Sequence, residues 1–119
     1  MITNFEEFTS ELTEDELKLI KPLVSGLKSK TKENPIKADA IVLAMNMFAK
    51  EKGLPKISDA RLRKLVNHIR SNGVLPIIAT SKGYYVSYDP KEIQEQVNSL
   101  KQRANSILNS ANGLTNWIV

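Results

Sequence analysis

Between Ile57 and Arg70 the chain sets Arg61, Arg63, Lys64, Asn67 and His68 around Leu62, Leu65, Val66 and Ile69. The four apolar residues fall at i, i+3, i+4 and i+7, which is one stripe of an α-helix. The polar groups therefore occupy the rest of its circumference. Ammonium and guanidinium groups bind phosphates. An asparagine carboxamide can hold adenine through two hydrogen bonds, and an arginine can hold guanine through O6 and N7. At about 100° per residue, the face opposite the stripe centres on Ala60, Lys64, Asn67 and Ser71, with Arg61, Arg63 and His68 beside it. Lys56, just ahead of the segment, and Thr80, Ser81 and Lys82 in a later turn add groups suited to a nucleic-acid backbone. Arg63 and Arg70 have a second use open to them. They are seven residues apart on the edge of the stripe, within reach of pairing with the acids Glu14 or Glu16.

Other chemistry finds little to stand on. The chain has no phosphate-cradling glycine loop, no nucleophile elbow and no paired-histidine metal motif. Asp39, Glu51 and Asp59 match no metal-ligand spacing, and one histidine cannot build a metal site alone. With no cysteine there is no disulfide, thiolate site or cysteine nucleophile. The expectation is a protein without catalysis and without cofactors.

The elements that must carry these groups are marked by local signals. Thr13-Glu14-Asp15-Glu16 is a capping box opening a first helix with Leu17, Ile20, Val24 and Leu27 on its apolar face. Pro22 should kink or split that helix. After the polar loop 28–33, Asn34-Pro35 reads as N-cap and first-turn proline. The second helix, over 36–50, turns Ile36, Ala40, Ile41, Leu43, Ala44, Met47 and Phe48 mostly inward. Ser58 caps the basic helix, Ile57 and Leu62 form its hydrophobic staple, and Asn72-Gly73 ends it. Two β-prone runs, 75–79 and 84–88, flank the turn 80–83 and form a hairpin. Tyr84 and Tyr85 point to opposite faces of it, which sends one to the core and leaves the other for packing or base stacking. Asp89-Pro90-Lys91-Glu92 starts a last helix over 89–111. Its apolar residues, from Ile93 through Ala111, alternate at spacings of four and three. Such a row serves either as cover for the protein's own core, the more economical use, or as a dimer seam.

The 119 residues make one domain of ordinary composition, 41% hydrophobic and 25% charged. An acidic segment covers 1–12 and an apolar tail 112–119. No apolar run approaches the roughly 20 residues of a membrane span. The acidic start is unlike a secretory signal, which points to the cytoplasm. The net charge of +4 is unevenly spread: residues 1–16 carry six acids and no base, while residues 50–70 carry seven bases against two acids. A basic block of this kind fits a polyanion.

The stretch from about Ile57 to Leu114 resembles a small winged-helix module of phage and prophage replication or regulatory proteins. Four motifs carry the resemblance: Ser58-Asp59-Ala60-Arg61-Leu62-Arg63, Ile69-Arg70-Ser71-Asn72-Gly73, Lys82-Gly83-Tyr84-Tyr85 and Ser99-Leu100-Lys101-Gln102-Arg103-Ala104. It implies a mainly α fold with a small β-hairpin: a winged helix-turn-helix over 36–88 with an additional C-terminal amphipathic helix. Residues 58–71 would be the recognition helix in the major groove, and residues 80–82 the wing tip. Lys56, Lys64 and Lys82 would meet phosphates. The expected partner is double-stranded DNA, met in the cytoplasm of a bacterial host, and the expected role is regulation or replication. A homodimer through the last helix and tail would read a palindrome. The alternative keeps the fold and turns the basic face toward a host protein, as a phage-encoded inhibitor of a nucleic-acid-handling or defence complex.

Overall fold

A computed structural model describes residues 12–118. The chain divides into two compact units, one ending at Ser87 and the next beginning at Tyr88. The acidic residues Glu6, Glu7 and Glu11 lie outside the described residues, as does Val119.

The first unit opens with α1 (Glu14–Leu27). Its capping box forms as expected: Glu16 N–H donates to Thr13 Oγ1 at 3.1 Å, and Thr13 N–H to Glu16 Oε1 at 2.9 Å. The buried face shares Leu27 with the expected one and otherwise runs through Glu16, Leu19 and Leu23. Ile20 and Val24 pack half-buried at its edge, while Leu17 is about half exposed. Two apolar rows lie side by side on this helix, and periodicity alone cannot choose between them. Pro22 sits inside one continuous helix rather than dividing it. Burial of Leu19, Leu23 and Leu27 around it offsets the ~3 kcal/mol that an interior proline costs.

The second helix, α2, spans Ala38–Glu51 rather than 36–50. Pro35 holds Asn34 extended, and Ile36 takes a different partner from the one a helix would give it. Ile36 N–H donates to the Tyr84 carbonyl at 2.9 Å, and Tyr84 N–H to the Ile36 carbonyl at 2.7 Å. Lys37 is therefore the N-cap, without a side-chain cap bond. Ile41, Met45 and Ala49 bury, whereas Leu43 and Met47 face outward at 66% and 65% exposure. This helix is apolar on nearly every side, so packing alone sets its rotation.

Helix α3 (Asp59–Ser71) meets the sequence expectation in its cap and stripe. Ser58 Oγ accepts from Arg61 N–H at 3.2 Å. Ile57 and Leu62 are both buried, and Leu62, Leu65, Val66 and Ile69 lie at the centre of the core. Asn72 is the C-cap, and Gly73 follows at φ 64°.

Strands β1 (Ile77–Thr80) and β2 (Gly83–Val86) form an antiparallel hairpin with Ile77 opposite Val86 and Thr80 opposite Gly83. The two-residue turn is Ser81-Lys82. Gly83 has φ 131°, and a Cβ there would stand 2.5 Å from the Ile36 carbonyl oxygen. Only glycine allows the Ile36 backbone to pair so closely with the hairpin. Tyr84, half-buried, packs with Val86 against the main core cluster, while Tyr85 is buried opposite Ile78 on the other face of the hairpin, so neither tyrosine is left free.

The second unit is one helix, α4 (Pro90–Thr115), ending four residues beyond the expected 111. Asp89 caps it by accepting from Lys91 N–H at 3.0 Å, with Pro90 in the first turn. Gly113 does not stop it. None of its residues is buried. No helix among the described residues is long and apolar enough to cross a membrane.

Candidate nucleic-acid interface

Four sets of contacts fix α3 in the first unit. The apolar stripe is the first. The second is a clamp from α2: Asn46 Oδ1 accepts from Ile57 N–H at 2.8 Å and Asn46 Nδ2 donates to the Ile57 carbonyl at 3.2 Å. One carboxamide thus satisfies both backbone groups of the residue leading into α3 and sets the turn between the helices. Nothing in the local pattern around Asn46 marks it for this task, and sequence reasoning missed it.

The third set is electrostatic. Glu16 of α1, only 6% exposed, meets Arg61 at 2.5 Å and Lys64 at 3.7 Å. Burial pushes the Glu16 carboxyl upward in pKa. The hydrogen bonds from Thr13 and Arg61, with the charges of Arg61 and Lys64, outweigh that and hold it below its ordinary value. The fourth set joins α3 to the hairpin, where Arg70 Nε donates to the Ile77 carbonyl at 2.9 Å.

These contacts redistribute the expected site. Lys64 was expected on the exposed face as a phosphate contact. It is 7% exposed and turned toward Glu16. Arg61 is held by the same carboxylate, with its side chain 24% exposed. Pairing between α3 bases and an α1 acid therefore occurs, through Arg61 and Lys64. Arg63 lies 3.7 Å from Asp59 and remains about half exposed. The outward row of α3 is consequently Ala60, Arg63, Asn67 and Ser71, with Asn67 and Ser71 exposed and Ala60 half-buried. His68 is half-buried on its flank, and Lys56 is exposed in the turn ahead of the helix.

At the hairpin, Thr80, Ser81 and Lys82 are all exposed as expected. Thr80 Oγ1 accepts from Lys82 N–H at 3.2 Å, which holds the turn. An open cleft of about 450 Å³ runs between this turn and the starts of α2 and α3, lined by Lys37, Asp39, Asp59, Thr80, Ser81 and Tyr84 among others. The cleft brings together the hairpin tip and the first residue of α3. It also contains two acids. Asp39 Oδ1 is engaged by Ala40 N–H at 2.8 Å, and Asp59 faces Arg63. The structure gathers no three His, Cys, Asp or Glu side chains into a metal-binding group among the described residues.

Comparison with protein-family models, with curated proteins and with solved structures finds no match for this chain.

Proposed function

We propose that the unit ending at Ser87 is a winged helix-turn-helix domain that binds double-stranded DNA, in a regulatory or replication-associated role of phage type. It would act without catalysis, in the cytoplasm of a bacterial host. One observation carries the reading: the hairpin tip and the start of α3 border a single open cleft, from which the row Ala60, Arg63, Asn67 and Ser71 continues along the helix. The order of elements supports it further. A helix, a short extended segment at Ile36, two helices and a hairpin paired back onto that segment are what a winged helix-turn-helix requires.

In this arrangement α3 enters the major groove, which admits a helix. Asn67 reads a base edge, and Ala60 lets the backbone approach closely. Asp59 orients the Arg63 guanidinium and keeps the phosphates away from that end of the helix, so that Arg63 reads a guanine. Lys37, Lys56 and Lys82 meet phosphates and set the orientation without reading sequence. Arg61 and Lys64 contribute indirectly, by fixing the rotation of α3 through Glu16. Binding of a random-sequence duplex should weaken as salt rises, with a log–log slope of roughly −3 for about three to four phosphate contacts. A complex indifferent to salt would refute the reading.

The ion pairs favour a second reading. With Arg61 and Lys64 committed to Glu16, and Asp39 and Asp59 in the cleft, the exposed positive charge is smaller than the residue count suggests. The same surface then suits a host protein of the nucleic-acid-handling or defence class, on which the chain would act as an inhibitor. A stoichiometric complex surviving nuclease treatment, with no duplex binding at low salt, would favour this reading over the first.

A further inference from the structure

Helix α4 has no fully buried residue, although Ile93, Leu100, Ile107 and Leu114 alternate along one face with Val97, Ala104 and Ala111 at spacings of four and three; Ile93, Val97 and Leu100 are half-buried, and the row from Ala104 onward is exposed. Ile107 is 71% exposed, Leu114 70%, and Trp117 just beyond the helix 82%. We propose that this face is an antiparallel seam whose occupant is α4 of a second copy of the chain. The inference stands on α4 alone and does not depend on what the first unit binds.

Size is the first argument. A large aliphatic side chain removes roughly 60–120 Å² from water when buried, and a tryptophan about 200 Å². The row, extended by Leu108 and Trp117 on its flanks, offers roughly 500 Å² per partner, the low end of the range that specific interfaces use. Packing is the second argument, and it sets the direction. A parallel pair would stack Ala104 on Ala104 and Ile107 on Ile107, alternating gaps with bulges. An antiparallel pair in which Ala104 faces Ile107 of the second copy also brings Ala111 against Leu100 and Val97 against Leu114. Every such layer then joins a smaller side chain to a larger one, so the width stays even.

Charge agrees with the same register. No charged residue occurs from Ala104 through Ile118. In the antiparallel pair Lys101 lies beside Leu108 of the second copy and Arg103 beside Ser110, so no like charges meet. Opposed helix dipoles add to the preference. Asn98, Asn105 and Asn112 remain on the outer side as an uncharged polar surface. The two Tyr88 positions, at the start of each helix, come to lie at opposite ends of the pair, roughly 50 Å apart at 1.5 Å per residue.

Light scattering on the full chain tests the seam. The expected mass is twice the 13.3 kDa of one chain. Ile107→Asp or Leu114→Asp should return it to 13.3 kDa without shifting the melting of the first unit, while Asn105→Asp on the outer side should leave the dimer intact. Because the chain has no cysteine, direction can be read by mixing Val97→Cys chains with Leu114→Cys chains and adding a short bis-maleimide. Cross-linked product should form in the mixture and be lost in either variant alone. Cross-linking of Val97→Cys with itself would overturn the antiparallel arrangement. A monomer at every concentration would overturn the seam, as would a monomer that partitions onto anionic lipid vesicles, which would assign the face to a membrane surface instead.

Discussion

Replacing Glu16 by glutamine removes one charge from the most buried ionic cluster of the first unit. Glu16 is 8% and Lys64 7% exposed in their side chains, while Arg61 keeps 24%. Glutamine keeps an oxygen for Thr13 N–H, so the helix cap survives and the change isolates the charge. Removing one partner of a buried pair costs about 3–5 kcal/mol, because the remaining charge loses its counter-charge. Retention of the cap places Glu16→Gln near 3 kcal/mol, which corresponds to a fall in Tm of roughly 12–24 °C at about 4–8 °C per kcal/mol. Urea denaturation with the transition followed by far-UV circular dichroism would measure it. Adding Lys64→Met should recover at least ~1 kcal/mol relative to the sum of the single changes, since the buried ammonium is gone. A Glu16→Gln variant within about 0.5 kcal/mol of the parent, or strictly additive single changes, would refute the reasoning.

The same carboxylate makes an acid-side prediction. Its pKa in the fold is below the ordinary 4.5, so its contribution is fully present above that value and is lost as pH falls below it through the folded pKa. Stability of the parent should drop over that range more steeply than that of Glu16→Gln, and equal slopes in urea titrations would contradict the assignment. Asn46→Ala strips both backbone groups of Ile57 of their partner; a loss of about 1–3 kcal/mol is expected, and a neutral result in chemical denaturation would remove the clamp from the account. Gly83→Ala must strain φ and displace the Ile36 carbonyl, at a cost of about 1–3 kcal/mol, and unchanged protection of the Tyr84 amide in hydrogen exchange would contradict the pairing. Lys82→Ala should reduce duplex affinity equally for all sequences and make the salt slope shallower by about 0.9, as read by fluorescence anisotropy.

The start, stripe and end of α3 were legible because each rests on local chemistry. A serine hydroxyl reaches an amide three residues on, four apolar side chains share a face, and a glycine takes positive φ. The hairpin and the cap of α4 were legible for the same reason. The rotations of α1 and α2 were not, since both helices carry more than one apolar row and only contact with the rest of the core selects among them. Lys64 was misplaced because its burial depends on Glu16, a residue distant in sequence whose local signal is that of a helix cap. The pairing of Ile36 with Tyr84 involves a single residue on one side and leaves no alternation to detect. Helix α4 runs past Ala111, the last residue of its expected apolar row, through Gly113 to Thr115.

The central claim is that the outward row of α3 touches DNA while the buried bases do not. It is tested most directly by titrating one labelled duplex with the parent, with Arg63→Ala/Asn67→Ala, and with Lys28→Ala as a control away from the cleft. The account predicts at least a ten-fold loss of affinity for the double variant, about 1.4 kcal/mol, with its Tm and the binding of the control unchanged. Equal affinity for all three proteins, or no duplex binding by the parent at low salt, would contradict it.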